Sequence, residues 1–298
     1  MQDTAPLSSG KGHTDENFPV ASILIRRKYR PMILAFYRFA RAADDVADHA
    51  EAPAAEKLAL LAEMKGSLLG EHQTSPEAEA LRESLLERHL TAQHGVDLLE
   101  AFRRDVTKLR YTDWDDLMGY CRYSANPVGR FVLDVHGESH ALWPVCDALC
   151  SALQIINHLQ DCAKDYHALD RVYIPLDVLH RHGLEPSALA EKESSPALRN
   201  VLDELLSRVS LLLDQSRPFA AGIADRRLGL EVAVIQRLAE DLSQKLKHHD
   251  PLSERVHHTK SEAAGIGLGA AVGYLLGRSA KKSSTHAARD WRQSAHGS

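Results

Sequence analysis

The chain reads as an all-α protein. Apolar residues recur at spacings of three and four, as on one face of a helix. No run alternates polar and apolar residues between turn signals as a half-buried strand would. Prolines fall at the edges of the periodic segments, where helices tolerate them. In order, the first candidate helix is 17–28. The second, 31–49, opens on Pro31, whose missing N–H has no partner in a first turn anyway. The next, 55–70, comes after Pro53 and carries the stripe Leu58, Leu61, Leu68 and Leu69, and 77–93 comes after Pro76 in the same way. Then come 95–108 and 113–136; Pro127 inside the latter, among small residues, predicts a kink that opens room for a ligand. The remaining helices are 141–166, 197–220 with Leu202, Leu205, Val209 and Leu212 toward the core, 225–248 and 252–278. No linker or repeat divides them, so one domain is expected over 17–278, with disorder over 1–16 and in a basic tail, 279–298.

Composition narrows the function classes. The 298 residues are 44% hydrophobic and 26% charged, an ordinary globular balance. A net charge of −5 gives no reason to expect a nucleic-acid partner. Cys121, Cys146, Cys150 and Cys162 form no CxxC or zinc spacing, so reduced thiols and a cytoplasmic location are expected. The N-terminus lacks the basic start and apolar core of a signal peptide. Residues 263–277 are uncharged but short of the ~20 residues a membrane span needs. Arg278, Lys281, Lys282, Arg289 and Arg292 come next, against the single acid Asp290. That segment is either a terminal helix packed on the bundle or an anchor at an anionic membrane surface. Its glycines do not make a nucleotide loop, because no strand precedes them. The paired histidines at 248–249 and 257–258 lack matching carboxylates or cysteines and read as surface.

Two aspartate rows carry the chemistry. Positions three or four apart share a helix face. Tyr37, Arg41, Asp44, Asp45 and Asp48 therefore form one stripe, and Gln154, Asn157, Asp161 and Asp165 form another. A charged face alone is also what any solvated helix shows. The second row, however, mixes acids with short amides instead of Lys and Glu. If the rows meet, their like charges are costly without a cation. An oxygen-rich cage for Mg²⁺ is then expected from Asp44, Asp45, Asp48, Asn157, Asp161 and Asp165, and Mg²⁺ commonly links carboxylates to a diphosphate. Arg41 and Arg171 are the expected phosphate clamps, with Lys164 beside them. Tyr37, Tyr120, Tyr173 and Gln154 are available to add hydrogen bonds. Arg122 and Asn126, polar in the kinked segment, are candidates to hold a water.

These strings resemble the squalene/phytoene synthase family from about residue 17 to 249. The family's Y-x-x-x-R-x-x-D-D-x-x-D falls on Tyr37, Arg41, Asp44, Asp45 and Asp48. Its Q-x-x-N-x-x-R-D-x-x-x-D falls on Gln154, Asn157, Asp161 and Asp165, with Gln160 in place of the arginine. R-x-Y-x-P falls on Arg171, Tyr173 and Pro175, and Y-C-x-x-x-A-x-x-V-G on Tyr120, Cys121, Ala125, Val128 and Gly129. The usual Ser-Phe-Ser is Asn17-Phe18-Pro19 here, which places Asn17 and Gln160 among the expected substrate contacts. The resemblance implies an isoprenoid-synthase bundle around a central cavity, catalytic work by Asp44, Asp48, Asp161, Asp165, Tyr37 and Tyr120, and Mg²⁺ as cofactor. It implies no NADPH. The departures are similar to the branch of the family that hydrates presqualene diphosphate and hands its alcohol to other enzymes of squalene synthesis. A condensing enzyme joining two prenyl diphosphates is the alternative within the family. A catalytically silent helical assembly protein is the alternative of another class.

Overall fold

The computed structural model describes residues 25–294, with side chains described through Gly277, and every regular element among them is helical. The helices are α1 (Arg30–Asp48), α2 (Ala54–Leu69), α3 (Pro76–Glu87), α4 (Gln93–Thr107), α5 (Trp114–Ser124), α6 (Asn126–His136) and α7 (Trp143–Gln160). They continue as α8 (Cys162–Leu169), α9 (Leu176–Arg181), α10 (Pro196–Ser216), α11 (Phe219–Gly222), α12 (Arg226–His248) and α13 (Lys260–Ser294).

Local chemistry sets the helix starts. Ser75, Asp113, Ser195 and Asp225 each accept a hydrogen bond from a first-turn backbone N–H. Gly70 and Gly137 close α2 and α6 at φ of 81° and 70°, a region that suits glycine. The bounds of α1, α2 and α12 lie within one residue of those expected from sequence.

Other boundaries differ, each for a physical reason. The segment expected over 113–136 is two helices broken at Ala125, where ψ is −47° and φ has opened to −119°. Pro127 then sits in the first turn of α6, so the expected kink is present. The segment expected over 141–166 also breaks, at Asp161 with φ −100° and ψ 10°. Residues 25–29 form a bend and turn rather than the end of a helix; 1–24, including Asn17 and the N-terminus expected to be disordered, lie outside the described residues. The last helix starts at Lys260, not 252, because Thr259 and Glu262 make a reciprocal capping box: Thr259 N–H donates to Glu262 at 2.8 Å and Glu262 N–H to Thr259 at 3.3 Å. It runs on to Ser294, so 279–294 extend a helix instead of forming an irregular tail; no glycine or proline interrupts them.

Two apolar cores build the bundle. The first gathers α1 to α4 with Phe131 and Val135 of α6, and Phe36 stacks on Phe131 at 3.9 Å between ring centroids. Each such buried side chain contributes about 1.5–3 kcal/mol. The second gathers α5 to α12 and includes Leu202, Leu205 and Val209; Leu213, not Leu212, completes that buried stripe. In α2, Leu61, Met64 and Leu68 face the core while Leu69 is exposed. All four cysteines are free thiols. Gly129 permits the close crossing of α6 on α7, since a Cβ there would lie 2.5 Å from the Sγ atoms of both Cys146 and Cys150. Between the two cores lies a cavity.

Candidate active site

The cavity has a volume of about 590 Å³. Its depth is apolar, with Phe36, Phe102, Val128, Phe131, Leu149 and Leu153 in the wall. Its mouth carries Tyr37, Arg41, Asp44 and Asp48 from α1, facing Gln154, Asn157, Asp161, Lys164 and Asp165 from α7 and α8. The two rows read from the sequence therefore do meet across one cavity. A larger groove of about 860 Å³ between α12 and α13 has no carboxylate in its lining and is not this site.

The acids do not close into the expected cage. Among the described residues, no group of three or more His, Cys, Asp or Glu side chains gathers around one point. Arg41 instead spans Asp44 and Asp45, at 2.8 Å to each, and Asp45 does not line the cavity. Asp48 accepts from Arg171 at 2.6 Å, and Lys164 lies 3.6 Å from Asp161. This open arrangement still fits Mg²⁺. That ion holds several waters and takes only one or two carboxylates plus phosphate oxygens, so it does not need an all-protein cage. Burial, with the Asp161 charge adding to it and Lys164 and Arg171 opposing, pushes the Asp165 carboxyl up to about 7.

The structure also shows a residue that sequence reasoning missed. Asp105 of α4 is buried and accepts the phenol O–H groups of Tyr120 and Tyr173, each at 2.9 Å. Its backbone carbonyl accepts from Arg171 Nε at 3.1 Å, and Arg171 also donates to the Ala47 carbonyl at 3.3 Å. Arg171 is thus a brace between α1 and α4 that fixes Asp48, with fewer donors left for phosphate than the sequence implied. The segment after α8 brings it there: Val172 N–H donates to the Leu109 carbonyl and Leu176 N–H to the Tyr111 carbonyl, both at 2.9 Å. Burial pushes the Asp105 carboxyl up to about 6, opposed by the Arg171 charge and the two phenols. His158, also unread in the sequence, stacks on Tyr173 at 3.5 Å and lines the cavity. Burial pushes its imidazole down to about 3, so it is neutral. The signal for Asp105 is its register: it continues the buried stripe of Leu98 and Ala101.

Three expected contacts lie elsewhere. Gln160 faces away from the cavity, its amide donating to the Val256 carbonyl, and so holds the 249–259 segment down. Asn126 is buried in the kink, accepting from Ser151 at 3.0 Å, and Arg122 is exposed. Neither lines the cavity. Asn126 follows the break at Ala125, which a wheel drawn continuously through 113–136 cannot represent, whereas Arg122 and Gln160 lie within α5 and α7, turned away from the cavity.

Titration gives a prediction. A carboxyl raised from 3.8 to about 7 costs the fold nothing below pH 4 and progressively more as pH rises through that window. Metal-free Asp165→Asn is therefore expected to gain melting temperature over wild type as pH goes from 4.5 to 7.5. A difference that stays flat with pH would contradict the environment described for Asp165.

An all-helical bundle with an apolar cavity and a mouth of facing aspartates and basic clamps is the architecture of an enzyme acting on prenyl diphosphates. The pattern of the squalene/phytoene synthase family matches residues 11–262. The chain belongs to that family. It is 56% identical over 276 residues to a hydroxysqualene synthase of Zymomonas mobilis, covering 92% of this chain and 93% of that one. It is 52% identical to a hydroxysqualene synthase of Rhodopseudomonas palustris, covering 94% and 96%. A squalene synthase structure from Alicyclobacillus acidocaldarius superposes with a TM-score of 0.69 at 30% identity, covering 77% of this chain and 87% of that one.

Proposed function

We propose that the chain is a hydroxysqualene synthase, converting presqualene diphosphate and water to hydroxysqualene and diphosphate. The observation that carries this is the 56% identity, over nearly the whole of both chains, to the Zymomonas mobilis enzyme of that name. Asp44, Asp48, Asn157, Asp161 and Asp165 would hold Mg²⁺ at the cavity mouth. When bound there, Mg²⁺ offsets the charge that gathers on a departing diphosphate. Arg41 and Lys164 add positive charge at the same mouth, and Arg171, anchored by Asp105, keeps Asp48 in place. The hydrocarbon lies in the apolar depth, where bulk water is excluded and aromatic faces stabilise a cation. After the C–O bond to diphosphate breaks, the cyclopropyl cation rearranges and is quenched by water. The alcohol then passes to a separate reductase, and no nicotinamide is used here. The test is to incubate the protein with Mg²⁺ and either presqualene or farnesyl diphosphate. Hydroxysqualene from presqualene diphosphate is expected; a condensation product from farnesyl diphosphate, with presqualene diphosphate left unconverted, would overturn the reading.

The same reading places the protein at a membrane surface, where such substrates reside. No helix of the described residues is long and apolar enough to cross a membrane. Yet α13 exposes Leu268, Val272, Leu275 and Leu276, spaced as one helical face and 69%, 49%, 51% and 67% exposed. Basic residues come next in sequence. Sedimentation with anionic vesicles is expected, weakened by Leu268→Asp with Leu276→Asp; equal sedimentation of both proteins would contradict this.

A further inference from the structure

Water capture requires a water held against an apolar wall and aimed at one carbon, and Arg122 and Asn126 are not in that wall. The helix register supplies an alternative. The α5–α6 segment runs antiparallel to α7. Tyr120 lies opposite His158, with ring centroids 5.8 Å apart, and Gly129 lies against Cys146 and Cys150. Ser124 is one turn beyond Tyr120, and Gln154 is one turn before His158. Between these rungs, with Asn126 bonded to Ser151 as a third, the register sets Ser124 at the level of Gln154. Both line the cavity, with Val128, Cys150 and Leu153 beside them.

Ser124 Oγ is buried and has no hydrogen-bond partner among the described residues. That is unusual, because a serine near a helix end ordinarily bonds a carbonyl one turn back, and a buried hydroxyl left unpaired costs about 1–3 kcal/mol. The amide of Gln154 is oriented by its neighbour. Gln154 Nε2 lies 3.1 Å from His158 Nε2, and an amide nitrogen only donates, so the imidazole accepts there. This leaves Gln154 Oε1 as an acceptor on the same rung.

We propose that Ser124 Oγ and Gln154 Oε1 hold the water that quenches the cation, which deepens the hydroxysqualene synthase reading and rests on it. A water donating one proton to each oxygen keeps two polar partners, the least that fixes a water in an apolar cavity. Its lone pair then faces the hydrocarbon. The diphosphate leaves with the electron pair of its C–O bond; the water lone pair forms the new C–O bond; the surplus proton ends on the released diphosphate, the strongest base the reaction creates. His158 is a positioning residue that sets the Gln154 amide.

The readout is the ratio of alcohol to hydrocarbon formed from presqualene diphosphate with Mg²⁺, which is internal to the folded, active fraction. Ser124→Ala is expected to lower that ratio about tenfold, the effect of one hydrogen bond, as proton loss replaces water capture. Ser124→Thr, which restores a hydroxyl, is expected to recover most of it. An unchanged ratio in Ser124→Ala, or equal ratios in the Ala and Thr variants, would overturn the assignment while leaving the functional reading intact. A wild-type protein that forms no alcohol would overturn the functional reading itself, and this assignment with it.

Discussion

Asp161→Ala is expected to lower turnover of presqualene diphosphate by about a thousandfold or more, with the melting temperature almost unchanged. The loss is of the size seen when one preorganised electrostatic contact to developing charge is removed. The fold is spared because Asp161 is partly exposed and its ion-pair partner, Lys164, is 3.6 Å away, three residues on, and largely in solvent. Exposed pairs contribute about 0–1 kcal/mol. Its removal also relieves repulsion on Asp165. Asp48→Ala is expected to match the loss of turnover but not the stability. Asp48 is the carboxylate partner of buried Arg171 at 2.6 Å, and removing one member of such a pair costs up to about 3–5 kcal/mol. Turnover and thermal melts on both variants separate the two effects. A stable, inactive Asp161→Ala beside a destabilised, inactive Asp48→Ala is predicted; full activity in either would contradict the assignment of the acids to the diphosphate end.

Asp105→Ala is expected to damage both stability and activity, although no motif points to this residue. The substitution strips two buried phenols of their acceptor and removes a carboxylate charge near Arg171, whose bond to the backbone carbonyl of residue 105 stays in place. Unsatisfied buried donors cost about 1–3 kcal/mol each, so a loss of about 2–5 kcal/mol is expected. Activity should fall in whatever protein still folds, because Tyr120 and Tyr173, both in the cavity wall, lose their shared anchor. Asp105→Asn keeps the volume and one acceptor oxygen, and is expected to recover about half of the stability. Denaturant melts of the two variants check this. Wild-type stability in Asp105→Ala would show that the hub is not structural.

The helices are legible in the sequence because burial leaves a periodic trace, as in Leu61 and Leu68 or Leu202, Leu205 and Val209. The first aspartate row is legible for the same reason, since α1 is continuous through Asp48; the second is legible because α8 follows α7 directly and keeps Asp161 and Asp165 on the cavity side with Gln154 and Asn157. Side chains next to the kink at Ala125, or held by long-range bonds, are not legible in this way. Asn126 follows the Ala125 break, where a wheel drawn through 113–136 misplaces it, and Gln160, at the very end of α7, is turned to the 249–259 segment by a long-range bond to Val256. The start of α13 is readable from Thr259 and Glu262, a capping box inside a stretch whose periodicity is otherwise helical. Asp105 is hidden by its surroundings in sequence, Arg103, Arg104 and Lys108, which look like a solvated face; only its register with Leu98 and Ala101 marks it as buried. Arg171 is visible as a cation but not as a brace, because the pairing of Leu109 and Tyr111 with Val172 and Leu176 is long-range and has no local signature.

The most direct measurement is the reaction of presqualene diphosphate with the protein and Mg²⁺ in ¹⁸O-labelled water, with the lipid product analysed by mass spectrometry. Ionisation followed by capture of a bound water predicts hydroxysqualene with one solvent oxygen in its hydroxyl group. An alcohol carrying no label, or a hydrocarbon as the sole product, would contradict the account.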